Sequence, residues 1–348
     1  MILTSGEIYF IGEFDLKSGQ RTEYVKIGIV RHGAKEDRTS QDRLLEHQTG
    51  NPRRLEIIHT ITTDAVEAIE TNLHYRFARH RVYGEWMRLD PKLLEEAKSE
   101  AESLRDQLAT HVETFRRAED LKNHISTEGK LAPTIDSEYW FAKYQDSKIM
   151  SKACDEAIEK YNALLAKAAE DGEEVSEYVT VQERAGARKF DQKSFMEKHP
   201  DLYAKFVTQE KSIKGRFLMT SVKKWNRTLE EISPDLSAIL TQFESELEKV
   251  EGNSITTTIH NLYLGVISMQ AYADWEMQLA SANIKNLCGS NEGIEGICTW
   301  KRAEQIDEKF DRKALAEAHP EIVEEFMITS APTKAVIVEP KAAYQDQR

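Results

Sequence analysis

Two residue pairs near the start of the chain stand at i and i+4: Arg43 with His47, and Glu70 with His74. That spacing places both members on one helix face, so each pair would present a charged group beside an imidazole. Tyr9 lies in an apolar, alternating run upstream, and Gly28 lies in the next such run. A cation, a carboxylate, a phenol and imidazoles are what phosphodiester hydrolysis requires. A carboxylate holds one Mg²⁺ or Mn²⁺, which needs only one or two protein carboxylates besides water and phosphate oxygens. A cation such as Arg43 stabilises charge developing on the phosphorane-like transition state. A phenol or histidine relays a proton to or from water. Each residue also has a plainer reading. Tyr9 would be a strand-core aromatic, Arg43 a partner of Glu46 or Glu70, and His74 a satisfied core histidine. Glu70 resists the plain reading, because it adjoins Ile69 in an apolar helix where an unpaired carboxylate is costly.

Positioning these groups calls for a small α+β unit. Residues 7–14 and 22–30 read as strands joined by the turn 15–20, a hairpin. Thr39-Ser40 caps a helix that starts near Gln41 and stops before Thr49-Gly50-Asn51-Pro52. Residues 55–61 form a third strand. Asp64 caps a helix carrying Val66, Ile69, Leu73 and Phe77 at helical spacing. Residues 83–89 read as a turn into a short strand, and Asp90-Pro91 opens the next helix. Residues 92–127 are charged and helical in pattern, and Gly129 to Pro133 marks a boundary.

Charge separates this region from the rest. The 348 residues carry a net charge of −13, with 40% hydrophobic and 31% charged residues, an ordinary balance for a globular chain. Residues 1–92 hold 14 Lys+Arg against 14 Asp+Glu, so the remainder carries the whole −13. Ten of those 14 cations are arginines, the better residue for bidentate phosphate contacts. Arg79, His80, Arg81 and Arg88, with Arg53 and Arg54, would form either a phosphate-tracking patch or a solvated charged face. Cys154, Cys288 and Cys298 are too few and scattered for a disulfide framework. With no membrane-length apolar run and no secretory start, the reading is a cytoplasmic protein.

An internal repeat occupies the C-terminal part. Residues 190–206 and 310–326 align without gaps at an offset of 120, with seven of 17 positions identical, both containing Phe-Asp-x-Lys and His-Pro. Helices at about 145–168 and 262–285, strands at 178–182 and 296–300, and strands at 216–219 and 335–338 recur around them. His199 and His319 read as helix ends, since a residue before proline avoids the helical region. The expected organisation is 1–92, a nuclease-like unit; 93–132, a helical spacer; 133–221, the first α+β repeat; and 222–348, connecting helices, the second repeat and a tail.

The first unit resembles the GIY-YIG endonuclease superfamily. The signature appears as Glu7-Ile8-Tyr9 and Lys26-Ile27-Gly28. Arg43-Leu44 with His47 is similar to the family's arginine helix, and Glu70-x-x-Leu73-His74-x-x-Phe77 to its glutamate helix. Gln48-Thr49-Gly50-Asn51-Pro52 and Gly84-Glu85-Trp86-Met87 resemble the branch called meiotically up-regulated gene 113-like, whose phage members are described as DNA-binding domains. The resemblance spans residues 7–90. It implies a small mixed sheet flanked by helices, one Mg²⁺ or Mn²⁺ on Glu70, Tyr9 as the proton-transfer phenol and Arg43 as the transition-state cation. His47 and His74 would assist proton transfer or phosphate binding. Two positions depart from the signature: Glu7 replaces the first glycine, and Lys26 replaces the second tyrosine. Lys26 would bind phosphate or act on Tyr9 as a nearby positive charge. The repeats have a fainter likeness to the tail of YqaJ-like phage recombination exonucleases. The expected function is therefore a metal-dependent DNA endonuclease in phage or host-defence DNA metabolism, targeted by its repeats. DNA is the expected partner, and the acidic repeats suit a protein partner. The competing readings are a non-cleaving DNA-binding protein and a repeat-based adaptor.

Overall fold

A computed structural model describes residues 4–33, 38–77, 80–127, 129–170, 179–250 and 256–338. Gly6–Phe14 forms β1 and Arg21–Arg31 forms β2, paired antiparallel with Tyr9 opposite Gly28. Their turn is closed by Asp15, whose carboxylate accepts from the N–H groups of Lys17 and Ser18 at 3.1 and 2.8 Å. Helix α1, Ser40–Gln48, starts with a reciprocal capping box between Thr39 and Asp42. Strand β3, Arg54–Thr63, runs antiparallel to β1 on its other side. Helix α2, Val66–Arg76, leads to the short strands β4, Arg81–Tyr83, and β5, Trp86–Arg88. The sheet order is β3-β1-β2-β5-β4, antiparallel throughout. The expected small sheet with flanking helices is the fold of this unit, but the sheet is antiparallel and not mixed, because turns reverse the chain between β1 and β2 and between β4 and β5 while α1 and α2 return it, so that β2, β3 and β4 all run against β1 and β5.

Strand alternation gives the sheet two apolar faces. Ile8, Phe10, Val25 and Ile27 pack with Val66, Ile69 and Leu73 of α2. Helix α3, Pro91–Asp120, completes this face with Leu94, Ala97, Ala101 and Leu108, so the first core extends well past residue 92. On the other face, Tyr9, Ile11, Val30 and Leu55 pack with Leu44 of α1 and with Trp86. Asp64 does not act as the expected cap. Its carboxylate accepts from the Ser5 hydroxyl and from Arg116 of α3, the latter at 2.8 Å.

The repeat has a symmetry that its sequence only hinted at. The first copy comprises α4 (Ile135–Glu170), β6 (Val179–Arg184), β7 (Arg188–Phe190), α5 (Gln192–Lys198), α6 (Pro200–Lys205), β8 (Val207–Lys214) and β9 (Leu218–Met219). Helices α7 (Leu229–Ile232) and α8 (Pro234–Glu248) connect it to the second copy. That copy comprises α9 (Thr257–Cys288), β10 (Gly293–Ile294), β11 (Cys298–Thr299), β12 (Ala303–Phe310), α10 (Arg312–Ala318), α11 (Pro320–Glu325), β13 (Met327–Thr329) and β14 (Thr333–Val338). Apart from the short β10–β11 pair, every ladder here joins one copy to the other. β6 pairs with β14, β7 with β13, β8 with β12 and β9 with β11. The registers are interchanged by the 120-residue offset. Phe190 faces Met327 as Phe310 faces Val207, and Val179 faces Val338 as Thr299 faces Leu218. Helices α4 and α9 pack together in the core of the pair. The two copies thus form one intertwined body with a pseudo-two-fold axis. Phe190 and Phe310 are equivalent residues and stack on each other with centroids 6.0 Å apart.

His199 caps the end of α5 and His319 the end of α10, each with a backbone outside the helical region, as the proline that follows requires. The intertwined body docks on the first unit through α9. Trp275 packs against Phe115 of α3 at 5.2 Å and reaches the core under α2. A cavity of about 1350 Å³ lies between α2, α3 and α9, lined by Glu67, Thr71, Ser103, His111, Gln270 and Trp275 among others. No helix among the described residues is long and apolar enough to cross a membrane.

Candidate active site

The site forms where β2 loses its neighbour. β5 pairs with β2 only over residues 24–26, so from Ile27 onward no strand among the described residues lies beside that edge of β2. Helix α2 runs along the gap and is pinned at two points. Glu67 bonds Arg31 at 2.6 Å. One ring nitrogen of His74, Nε2, stands 3.0 Å from the Ile27 carbonyl. Glu70 lies between them on the same helical stripe, which sets it beside residues 28–29 of β2.

Tyr9 reaches this edge from the other strand. Its side chain lies across Gly28, so close that a Cβ there would stand 2.5 Å from the phenol oxygen. Only glycine permits that approach. Tyr9 is 1% exposed, and burial pushes its hydroxyl pKa up. A hydrogen bond from Arg43 and that residue's charge oppose the rise, while the charges of Glu85 and Glu70 reinforce it. Arg43 also bonds Glu46 at 2.5 Å. Helix α1 is set over the sheet by its first residue, Ser40, whose hydroxyl donates to Glu7 at 2.8 Å. The acidic residue in the first signature position therefore anchors the arginine helix. His47, one turn beyond Arg43, is half-buried, and among the described residues its Nε2 has no hydrogen-bond partner. Burial, then Lys26 and Arg43, lowers its pKa and keeps it neutral.

Glu70 is the least compensated group of the site. Among the described residues no hydrogen bond or ion pair reaches its carboxylate. Burial, then the charge of Glu85, pushes its pKa up to about 7. A half-buried carboxylate with free oxygens suits a hard divalent ion that keeps water and phosphate as its other ligands. No group of three or more His, Cys, Asp or Glu among the described residues is arranged to hold a metal, so any ion here would rest on fewer protein ligands than that.

Lys26 is 5% exposed and pairs with Glu85. In the sequence Glu85 stands out only as a member of the Gly84-Glu85-Trp86-Met87 match. The structure brings it into the site, in the β4–β5 turn that Gly84 makes with φ +54°. The Glu85 carbonyl accepts from the Ile27 N–H at 3.3 Å. A charged residue between glycine and a core tryptophan was the available signal.

His74 is fully engaged. Besides the Ile27 carbonyl at its Nε2, its Nδ1 lies 3.0 Å from Arg81 Nη2. With Arg81 donating to Nδ1, the ring is a neutral Nε2–H tautomer that donates to Ile27, and burial lowers its pKa accordingly. The expected nucleic-acid arginines do not converge. Arg81 serves His74. Arg53 bridges Glu13 and Asp15 at 3.5 and 3.8 Å, while Arg54 pairs with Glu56 at 3.2 Å and covers Phe14. The first lies on β4 and the others at or just before β3, the opposite edges of the five-stranded sheet, roughly 19 Å apart at ~4.8 Å per strand. Arg79 lies outside the described residues.

Residues 6–102 match the family described as the T5orf172 domain. This domain is found in phage and GIY-YIG-like endonuclease-associated proteins, although the GIY-YIG family itself is not matched. The matched span takes in the whole five-stranded sheet and the first turns of α3, with Leu94, Ala97 and Ala101 of its core. No curated protein and no solved structure matches the chain.

Proposed function

We propose that the N-terminal unit is a metal-dependent DNA endonuclease whose site is the open edge of β2. The observation that carries this reading is Glu70. Its carboxylate is half-buried, unpaired, and held by flanking residues of its own helix at the point that the Tyr9 hydroxyl and Arg43 reach from the other face. A site built only to grip DNA has no use for such a group, because an uncompensated carboxylate repels phosphate. Three of the four arginines expected in a gripping patch, Arg53, Arg54 and Arg81, pair instead with Glu13, Asp15, Glu56 and His74.

In this reading Glu70 would hold one Mg²⁺ or Mn²⁺, which would supply positive charge against the phosphate and its leaving group. Arg43 reaches the phosphate from the α1 side and stabilises the added negative charge. Tyr9 is protonated at neutral pH, and Arg43 is placed to hold its phenolate once the proton leaves. As Tyr9 passes its proton to neutral His47, its oxygen takes one from the attacking water, whose oxygen bonds phosphorus while the P–O bond to the leaving oxygen breaks and that oxygen takes a proton from solvent. Lys26 stays buried and paired with Glu85. His74 and Arg81 position the glutamate helix and move no proton. The intertwined repeats supply targeting, in phage or host-defence DNA metabolism.

The test is a cleavage time course on supercoiled, single-stranded and branched DNA with Mg²⁺ or Mn²⁺, beside EDTA controls. Cutting that needs metal and falls by 10³-fold or more in Glu70→Ala and Arg43→Ala establishes the nuclease. Wild-type protein that binds DNA and cuts none of these substrates would make the unit a binding module. Cutting that survives Glu70→Ala would refute the site.

A further inference from the structure

Glu85 shares the open edge of β2 with Glu70, and no feature of the signature assigns it a task. Its backbone carbonyl is bonded to Ile27. The same residue's carbonyl receives His74, one turn beyond Glu70 on α2. Glu85 therefore stands at position 27 of β2, and Glu70 at about position 29. Two residues along a strand are roughly 7 Å, a gap that two glutamate side chains close through their rotatable bonds. Ligand oxygens on one octahedral Mg²⁺ stand about 3 Å apart. Lys26 engages only the Oε2 atom of Glu85. Among the described residues nothing bonds Oε1, and the side chain is 43% exposed.

We infer that Glu85 is the second carboxylate of the divalent-ion site, a reading that rests on the proposed nuclease. Lys26 anchors one oxygen and so aims the other at the ion that Glu70 holds. This gives the lysine at the second signature position a purpose that a tyrosine would serve less well. A buried ammonium both fixes the carboxylate and prevents two neighbouring carboxylates from facing each other uncompensated before the ion arrives. The site then presents two protein carboxylates, the upper end of what a Mg²⁺ ion bound to phosphate usually takes.

The experiment is Mn²⁺ binding to the full chain without DNA, read as free Mn²⁺ by electron paramagnetic resonance. Wild type, Glu70→Gln, Glu85→Gln and the double variant Lys26→Met/Glu85→Gln are compared. The double variant removes the buried ammonium together with its partner, so it keeps the test valid if Glu85→Gln alone unfolds. Glu85→Gln and the double variant should each weaken Mn²⁺ about tenfold, and Glu70→Gln at least as much. If Glu70→Gln weakens binding while both Glu85 variants match wild type, the inference is overturned and the nuclease reading stands. If wild type shows no Mn²⁺ binding that depends on Glu70, both fall.

Discussion

At the scale of single residues, the site is a set of groups held against their own preference. Glu70 has a folded pKa of about 7 against an ordinary 4.5. A carboxyl raised in the folded state contributes stability that is full below about pH 4.5 and is lost as pH rises through about 7. Glu70→Gln should therefore melt with wild type at pH 4.5 and above it at pH 8. With solvent screening of a partly exposed group, the gap would be about 1–3 kcal/mol. Calorimetry across that range checks it, and equal melting temperatures at pH 8 would show that the carboxylate is compensated after all. Saturating Mn²⁺ should reverse the order, since an ion that binds only the folded state stabilises it. Gly28 makes a second case. An alanine there drives its Cβ into the Tyr9 phenol, so Gly28→Ala should cost about 1–3 kcal/mol by overpacking and abolish cleavage. Tyr9→Phe should keep the fold and lose only the cleavage. Tyr9, Arg43 and Glu70 were legible in the sequence as candidates because each is a chemically apt residue at a motif position. Glu85 was not, because its place depends on where β5 stops.

The elements explain that stop. β5 is three residues long, and its shortness leaves room for α2 to lie against β2. Helix α2 is then fixed by Glu67 at one end and His74 at the other. This gives His74 a positioning task rather than a chemical one, and the two are separable. Gln at position 74 keeps a donor for the Ile27 carbonyl, whereas leucine does not. His74→Gln should retain at least a tenth of the wild-type cleavage rate, and His74→Leu should lose about 10²-fold in kcat, the scale on which small misplacements act. Equal loss in both variants would return His74 to proton transfer. The helices and the hairpin of this unit were readable from capping residues and periodicity. The paired fates of Arg53, Arg54 and Arg81 were not, because which carboxylate or imidazole each meets is set by strand order, and strand order leaves no mark on local sequence.

The whole molecule is organised by the repeat. Gap-free spacing of 120 residues made two copies visible, but sequence periodicity carries no information on whether copies pair within or across themselves. Charge does. Arg188 bonds Glu324 at 2.5 Å, Lys198 meets Glu325 at 3.5 Å, Lys211 bonds Glu304 at 2.8 Å, and Lys214 pairs with Asp307. In all four the cation comes from the first copy and the acid from the second. The offset of 120 shows what self-pairing would bring instead. Two first copies would set Lys211 toward Arg184 and Lys198 toward Lys205, and two second copies would set Glu324 toward Glu308. Exposed ion pairs add little stability each, yet like-charge contacts discriminate against the wrong partner. Residues 133–221 and 222–348, made separately and mixed, should therefore assemble one to one, with neither fragment forming a stable pair with itself. Size-exclusion chromatography with light scattering reads the outcome. A first-copy fragment that dimerises as readily as it joins its counterpart would show that the shared aromatic core, centred on Phe190 and Phe310, decides the pairing and that charge does not.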